Sequence, residues 1–127
     1  MSSVNRLTLK FSDKDALCRA VRKLDGTVLE VKANLEFFSI SQYVKVPRAG
    51  VLAAFKLPNR RYPFVVKSEG DLITESSNGA DETDADLKNL HHEYLFDLSS
   101  TYAETMGWTC QEEKAENGER LIALYTA

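Results

Sequence analysis

The alternation of hydrophobic and polar positions predicts how the chain begins. Apolar and polar residues alternate over about residues 5–11, which is typical of a half-buried strand. Over residues 14–24, leucine and valine recur at steps of three and four, which predicts an amphipathic helix. Ser12 is placed to cap that helix, and Asp25-Gly26 is placed to end it with the glycine in a left-handed conformation.

The middle of the chain is rich in β-branched and aromatic residues and is interrupted by short turn sequences. Turn-forming residues recur at 47–50, 58–61 and 68–71, so the strands between them are joined by short connections. Parallel strands need longer crossover connections than these. The middle of the chain is therefore predicted to form a meander of antiparallel strands.

Residues 87–106 are predicted to form a long helix with one apolar stripe. Leucine and tyrosine recur there at steps of three and four, and Gly107 follows as the residue just past the helix. We expect the stripe to be buried against the sheet and the acids between its members to face solvent or a partner. The stripe consists of Leu87, Leu90, Tyr94, Leu98 and Tyr102 and is widened by His91, Leu95 and Met106. The acids are Glu93, Asp97 and Glu104.

A hairpin is predicted after the long helix. Residues 108–114 and 119–126 have the composition of strands, and Asn117-Gly118 lies between them. Asn-Gly is the strongest short sequence signal for a hairpin, because both central residues of a type I′ turn need positive φ.

These elements together predict a single α+β domain over residues 1–127. The predicted order is β-α-β-β-β-β-α-β-β, with a mostly antiparallel sheet and two helices packed on one face, in two layers. Residues 75–84 are polar and acidic, and we expect them to form an exposed loop that leads into the long helix.

Charge is segregated along the chain, although the net charge is only −3. Residues 37–68 contain six basic residues and no acid, whereas residues 69–127 contain fourteen acids and three basic residues. One interpretation is that the two regions neutralise each other within the fold. The other is a positive patch for an anionic partner, in which long basic chains project from a turn, away from the later acids. The candidate contact residues of that patch are Lys56, Arg60, Arg61 and Lys67.

Candidate chemical groups are few. His91 and His92 are adjacent on the predicted helix and point about 100° apart, so they cannot bind one metal ion from the same face. We expect His91 to be half-buried, and we expect the two distant cysteines, Cys18 and Cys110, to be reduced thiols. No apolar run approaches the roughly 20 residues of a membrane-spanning helix. We therefore predict no catalytic residue, metal or cofactor, and a soluble protein of a reducing, cytoplasmic compartment.

Several segments resemble the conserved chloroplast reading frame 35 family, also called domain of unknown function 1257. The resemblance implies a small soluble accessory protein of cyanobacteria, some other bacteria or algal plastids, located in the cytoplasm or the plastid stroma. The family has no established catalytic residues, so none is implied here. This chain departs from the family pattern at residues 75–84, where members run more directly into the helix. The similar segments are residues 54–57, Tyr62-Pro63-Phe64-Val65-Val66, Tyr102-Ala103-Glu104-Thr105-Met106-Gly107-Trp108 and residues 117–124.

These features favour a small accessory or protein-binding module that acts without catalysis, as a monomer or weak oligomer. A nucleic-acid-binding protein is an alternative, since the basic segment 45–67 is interleaved with aromatic residues that could stack on bases. A virally encoded inhibitor of a host protein would have the same sequence properties. A small enzyme with an unfamiliar site is the least favoured class.

Overall fold

The structure is a computed structural model that describes residues 3–38, 43–76 and 85–126. Two α-helices and nine strands are present in these ranges, with a short 3₁₀ turn at Arg48–Gly50. The elements are β1 (Ser3–Lys10), α1 (Lys14–Lys23), β2 (Thr27–Leu29), β3 (Leu35–Phe38), β4 (Tyr43–Val46), β5 (Val51–Lys56), β6 (Phe64–Lys67), β7 (Asp71–Ser76), α2 (Ala85–Met106), β8 (Thr109–Lys114) and β9 (Arg120–Tyr125). Neither helix is long and apolar enough to cross a membrane.

Five strands form an antiparallel sheet in the order β1-β7-β6-β5-β2, and β3–β4 and β8–β9 form separate two-stranded antiparallel sheets. The predicted α+β class is confirmed. Six strands lie between the helices instead of the four in the predicted order, because Leu35–Phe38 and Tyr43–Val46 are two separate, paired strands and Asp71–Ser76 is a full strand of the sheet. β7 includes the first two residues of the predicted acidic loop, and residues 77–84 lie outside the described ranges.

Both faces of the sheet carry core. On one face, side chains of β5, β6 and β7 pack with α1 and α2 in one cluster, so both helices lie on the same face as predicted. On the other face, the cross-strand neighbours Ala54, Val65 and Ile73 pack against Val46 of β4. The expected two layers are therefore extended by a partial third, because these strands are apolar on both faces and the second face needs cover.

The N-terminus of α1 is capped one residue later than predicted. Asp13, not Ser12, is the cap, and its Oδ1 accepts a hydrogen bond from the backbone N–H of Ala16 at 2.9 Å. The N–H groups of Ser12 and Asp13 donate to the hydroxyl of Tyr94 at 2.9 and 3.0 Å. The start of α1 is thus fixed to α2 by a residue about 80 positions later in the chain.

The C-terminus of α1 also differs from the prediction. The left-handed residue is Asp25, with φ of 61°, not Gly26. The N–H of Gly26 donates to the carbonyl of Val21 at 2.9 Å, as in a Schellman motif. Glycine is needed there for space, since a Cβ would lie 2.8 Å from Val21 Cγ1 and 3.0 Å from the carbonyl oxygen of Lys56.

The predicted stripe of α2 is buried in its first half. Leu87, Leu90 and Tyr94 are buried as expected, but Leu98 is only partly buried and Tyr102 is 52% exposed. From residue 99 to the end of α2, Ala103 alone is buried. Its C-terminal half therefore lies beyond the helix–sheet core, and the β8–β9 hairpin also contacts this helix.

The hairpin turn is correctly located but of a different type. Gly118 has φ of 84°, whereas Asn117 does not have positive φ, so the turn is not type I′. The N–H of Gly118 donates to the carbonyl of Ala115 at 2.9 Å, and the N–H of Ala115 donates to the carbonyl of Glu119 at 2.8 Å. This is a three-residue loop in which a type I turn is followed by a left-handed glycine. The Asn117 side chain accepts a hydrogen bond from the N–H of Glu119, which a one-residue shift of the loop would lose.

Gly118→Val is expected to lower the free energy of unfolding by about 1–2 kcal/mol, because a β-branched residue resists the left-handed conformation. A Cβ at this position meets nothing within 4 Å, so the loss is conformational and not steric. Gly118→Asn, which tolerates positive φ, is the matched control and should lose clearly less. Denaturant unfolding of the three proteins measures the difference, and equal losses for valine and asparagine would contradict the assigned turn.

Candidate functional site

The four predicted basic contact residues do not form one patch. Lys56 ends β5, and Arg60 and Arg61 lie in the connection that follows. Lys67 pairs with Val51 at the opposite end of β5. At about 3.3 Å per strand residue, Lys56 and Lys67 are separated by roughly 17 Å along the sheet.

Two of these basic residues pair with acids, contrary to the expectation that they stay away from the acids that follow. Arg60 Nη1 lies 3.3 Å from Asp86 Oδ2, and Lys67 Nζ lies 2.8 Å from Glu69 Oε1. The first pair arises because α2 begins beside the β5–β6 connection and brings Asp86 with it. The hydrogen bond from Lys67 is the main reason why the pKa of Glu69 is lowered. Binding of an anionic partner by the four residues remains a prediction.

The aromatic residues of the basic segment are partly in the core. Phe55 and Phe64 are buried and stacked, with ring centroids 5.5 Å apart, so neither ring is accessible to a base. Tyr62 is half-buried, and the guanidinium of Arg61 lies over its ring at 5.3 Å from the centroid. The side chains of the other aromatics, Phe37, Phe38 and Tyr43, lie outside the part of the chain that the structure describes.

A buried carboxylate joins three elements of the fold. Glu93 of α2 is 8% exposed, although it was expected to face solvent. Its Oε2 lies 2.8 Å from Lys23 Nζ of α1, and its Oε1 lies 2.8 Å from Arg120 Nη2 of β9. Desolvation raises the pKa of Glu93, but the hydrogen bonds from the two cations outweigh it, so the pKa lies below its ordinary value.

The same cluster extends into the hairpin. Arg120 Nε donates to Glu112 Oε1 at 2.5 Å, and this bond is the main cause of the lowered pKa of Glu112 and of the raised pKa of Arg120. His92 Nε2 lies 3.2 Å from the same Glu112 oxygen, but without hydrogen-bond geometry. The cluster therefore fixes the hairpin to the helices through charge-assisted contacts. We call Lys23, Glu93, Arg120 and Glu112 the clamp.

The second histidine and the cysteines have structural environments. His91 is half-buried, as predicted, and its ring meets Phe11 edge-on at 6.0 Å between centroids. Burial, followed by the neighbouring His92, lowers the pKa of His91. Cys18 is buried and Cys110 half-buried, and neither forms a disulfide. Within the described ranges, no group of three His, Cys, Asp or Glu residues could hold a metal ion.

Two open clefts accompany these features. The first has a volume of about 370 Å³ and lies beside the start of α2, where Leu57, Arg60 and Asp86 contribute to its wall. The second, of about 310 Å³, lies along β2 and β5. The charged residues that line the first cleft are Arg60 and Asp86, which already pair with each other.

The clearest exposed feature is apolar. Leu95, Tyr102 and Met106 of α2 are 40%, 52% and 48% exposed, and their spacing of seven and four places them on one side of the helix. We call these three residues the α2 flank. The surrounding unit, residues 85–126, contains eight acids and three basic residues, a net charge of −5. All three residues were predicted to belong to the apolar stripe or to widen it, and that prediction of burial is wrong for them.

Comparison with known proteins gave no match to any family model, curated protein or solved structure. The resemblance to the conserved chloroplast reading frame 35 family therefore remains a prediction, and the candidate site rests on geometry.

Proposed function

We propose that this chain is a protein-binding module that acts without catalysis and docks its partner on the α2 flank. The observation that carries the proposal is the exposure of three large apolar side chains on one side of α2. Clusters of exposed large apolar residues rimmed by polar groups mark interaction surfaces more often than isolated ones do. An accessory role agrees with the family that the sequence resembles.

The proposed partner presents apolar side chains flanked by basic ones. The flank supplies the apolar anchors, and the net charge of −5 over residues 85–126 supplies the complementary field. Tyr102 is the proposed central anchor, because its ring packs edge-on against Trp108, at 5.6 Å between centroids, and is therefore partly fixed before binding. The unpaired cysteines fit a reducing compartment such as the cytoplasm.

The test is an affinity capture with the intact chain, followed by a binding titration with the captured protein. A triple variant, Leu95→Gln, Tyr102→Gln and Met106→Gln, is expected to weaken binding by about 100-fold or more, since anchor residues carry most of an interface's energy. The matched control is Thr101→Gln with Thr105→Gln, which are exposed on the same helix half outside the flank. A partner that binds the triple variant and the control equally well would contradict the proposal.

A further inference from the structure

Strand β9 leaves an apolar edge open. Leu121, Leu124 and Tyr125 are 43%, 42% and 48% exposed, although they occupy one six-residue strand. β9 pairs only with β8 among the described strands, so its second edge has no neighbour there. Natural proteins usually protect such an edge with charge, proline or cover, and β9 carries a single charged residue, Arg120, at its start.

The backbone of β9 directs alternate residues toward the open edge. The N–H of Ala115 bonds to the carbonyl of Glu119, so this pair faces inward across the hairpin. Facing residues of two antiparallel strands are alternately hydrogen-bonded to each other and not hydrogen-bonded. The register places Lys114 opposite Arg120 at one end of the hairpin and Thr109 opposite Tyr125 at the other. The N–H and C=O groups of Ile122 and Leu124 therefore point away from β8.

Charge distinguishes the two edges of the hairpin. β8 has the sequence Thr-Cys-Gln-Glu-Glu-Lys, so pairing β8 with itself would bring like-charged carboxylates together. β9 has no acid, and its last five residues are apolar. A second copy of this chain thus meets no repulsion along β9, and it supplies an identical apolar edge.

We propose that β9 pairs antiparallel with β9 of a second copy of this chain, which gives a symmetric dimer with a continuous four-stranded sheet. Among the registers that the outward backbone groups allow, we choose the one in which Ile122 exchanges hydrogen bonds with the partner's Leu124, because it leaves Arg120 outside the apolar pairs. Ala123 then lies on the twofold axis, and Leu121 faces the partner's Tyr125 on the same side of the sheet. Every facing pair from residue 121 to residue 125 is apolar.

The dimer goes beyond the proposed function and uses different residues, because no member of the α2 flank lies in β9. A contact of one strand with another is smaller than the roughly 800 Å² per partner of a standard interface, so the dimer is expected to depend on concentration. Each of the two proposals can therefore fail while the other holds.

The first test is sedimentation equilibrium over a concentration series. The mass of the wild-type chain is expected to rise from 14.3 kDa toward twice that value. Leu124→Pro removes an outward N–H from each copy and should raise the dissociation constant by about tenfold or more. Lys114→Pro is the matched control, because it removes an outward N–H from the β8 edge and should leave dimerisation unchanged.

The second test locates the twofold axis and keeps the outward backbone groups intact. In a Cys110→Ser background, Ala123→Cys should form an intermolecular disulfide on mild oxidation, because facing residues of a non-bonded pair have Cα atoms about 4.5 Å apart. Leu121→Cys faces the partner's Tyr125 and should crosslink far less.

Several outcomes of these tests would overturn the proposal. A chain that stays monomeric at all concentrations is one of them. A dimer that Leu124→Pro does not weaken is another, as is a dimer in which the Ala123→Cys variant does not crosslink. The proposal would also be overturned if the amides of β9 became protected from hydrogen exchange only when another protein is added.

Discussion

Glu93→Gln is expected to lower the free energy of unfolding by about 1.5–3 kcal/mol at pH 7, because it removes a charge that accepts hydrogen bonds from two cations. The side chain keeps its shape, so the loss measures the charge of the clamp and not the packing. Lys23 is mostly exposed and Arg120 keeps Glu112 as a partner, so both cations remain solvated or paired in the variant. Denaturant unfolding measures the loss. Glu104→Gln, an exposed acid on the same helix, is the control and should change stability by less than about 0.5 kcal/mol.

The effect of Glu93→Gln should also depend on pH. The pKa of Glu93 is lowered in the folded protein, so its contribution to stability is fully present above the pKa of the unfolded chain, about 4.3. That contribution is lost as the pH falls through the still lower folded-state pKa. The difference between wild type and Glu93→Gln should therefore shrink below about pH 4. The pKa of Glu112 is also lowered, so protonation of Glu112 destabilises both proteins in the same pH range. Subtracting the unfolding free energy of Glu93→Gln from that of the wild type isolates the contribution of Glu93. A difference that stays constant down to about pH 2 would show that the clamp charge does not stabilise the fold.

Leu90→Ala is expected to lower the free energy of unfolding by about 2–5 kcal/mol, because Leu90 is fully buried in the helix–sheet core and its truncation leaves a cavity. Two leucines of the same helix are graded controls. Leu98 is partly buried, so Leu98→Ala should lose less than Leu90→Ala, and Leu95 is exposed, so Leu95→Ala should lose least. Denaturant unfolding at neutral pH orders the three variants. A loss for Leu95→Ala equal to that for Leu90→Ala would mean that α2 is rotated on the sheet.

The element pattern was predictable because it is encoded by residues close together in the chain. The spacing of Leu87, Leu90 and Tyr94 predicted the first half of α2, and Gly107 ends the helix with φ of 72° as expected. The errors at the caps of α1 are single-residue shifts that arise from tertiary contacts. The backbone N–H of Ser12 bonds to Tyr94, and Gly26 is fixed by its approach to the carbonyl of Lys56.

The second half of α2 was not predictable from its periodicity. Tyr102 continues the spacing of the stripe, yet it is 52% exposed. Glu93 looks like a solvent-facing acid in the sequence, yet it is buried between α1 and β9. Nothing local to Glu93 indicates which cations will reach it, since Lys23 and Arg120 lie 70 residues before it and 27 residues after it.

The sequence by itself determined the α+β class, the order of the two helices and most strands, and the position of the C-terminal hairpin. Those features follow from apolar periodicity and turn chemistry, which act over a few residues. Only the tertiary structure decided which acids are buried, which basic residues are paired and which apolar side chains remain exposed. The contacts responsible, such as Arg19–Asp97 across 78 residues, exist only after distant segments have packed. The geometry of the packed elements decides which side chains meet, and no local pattern in the sequence specifies that geometry.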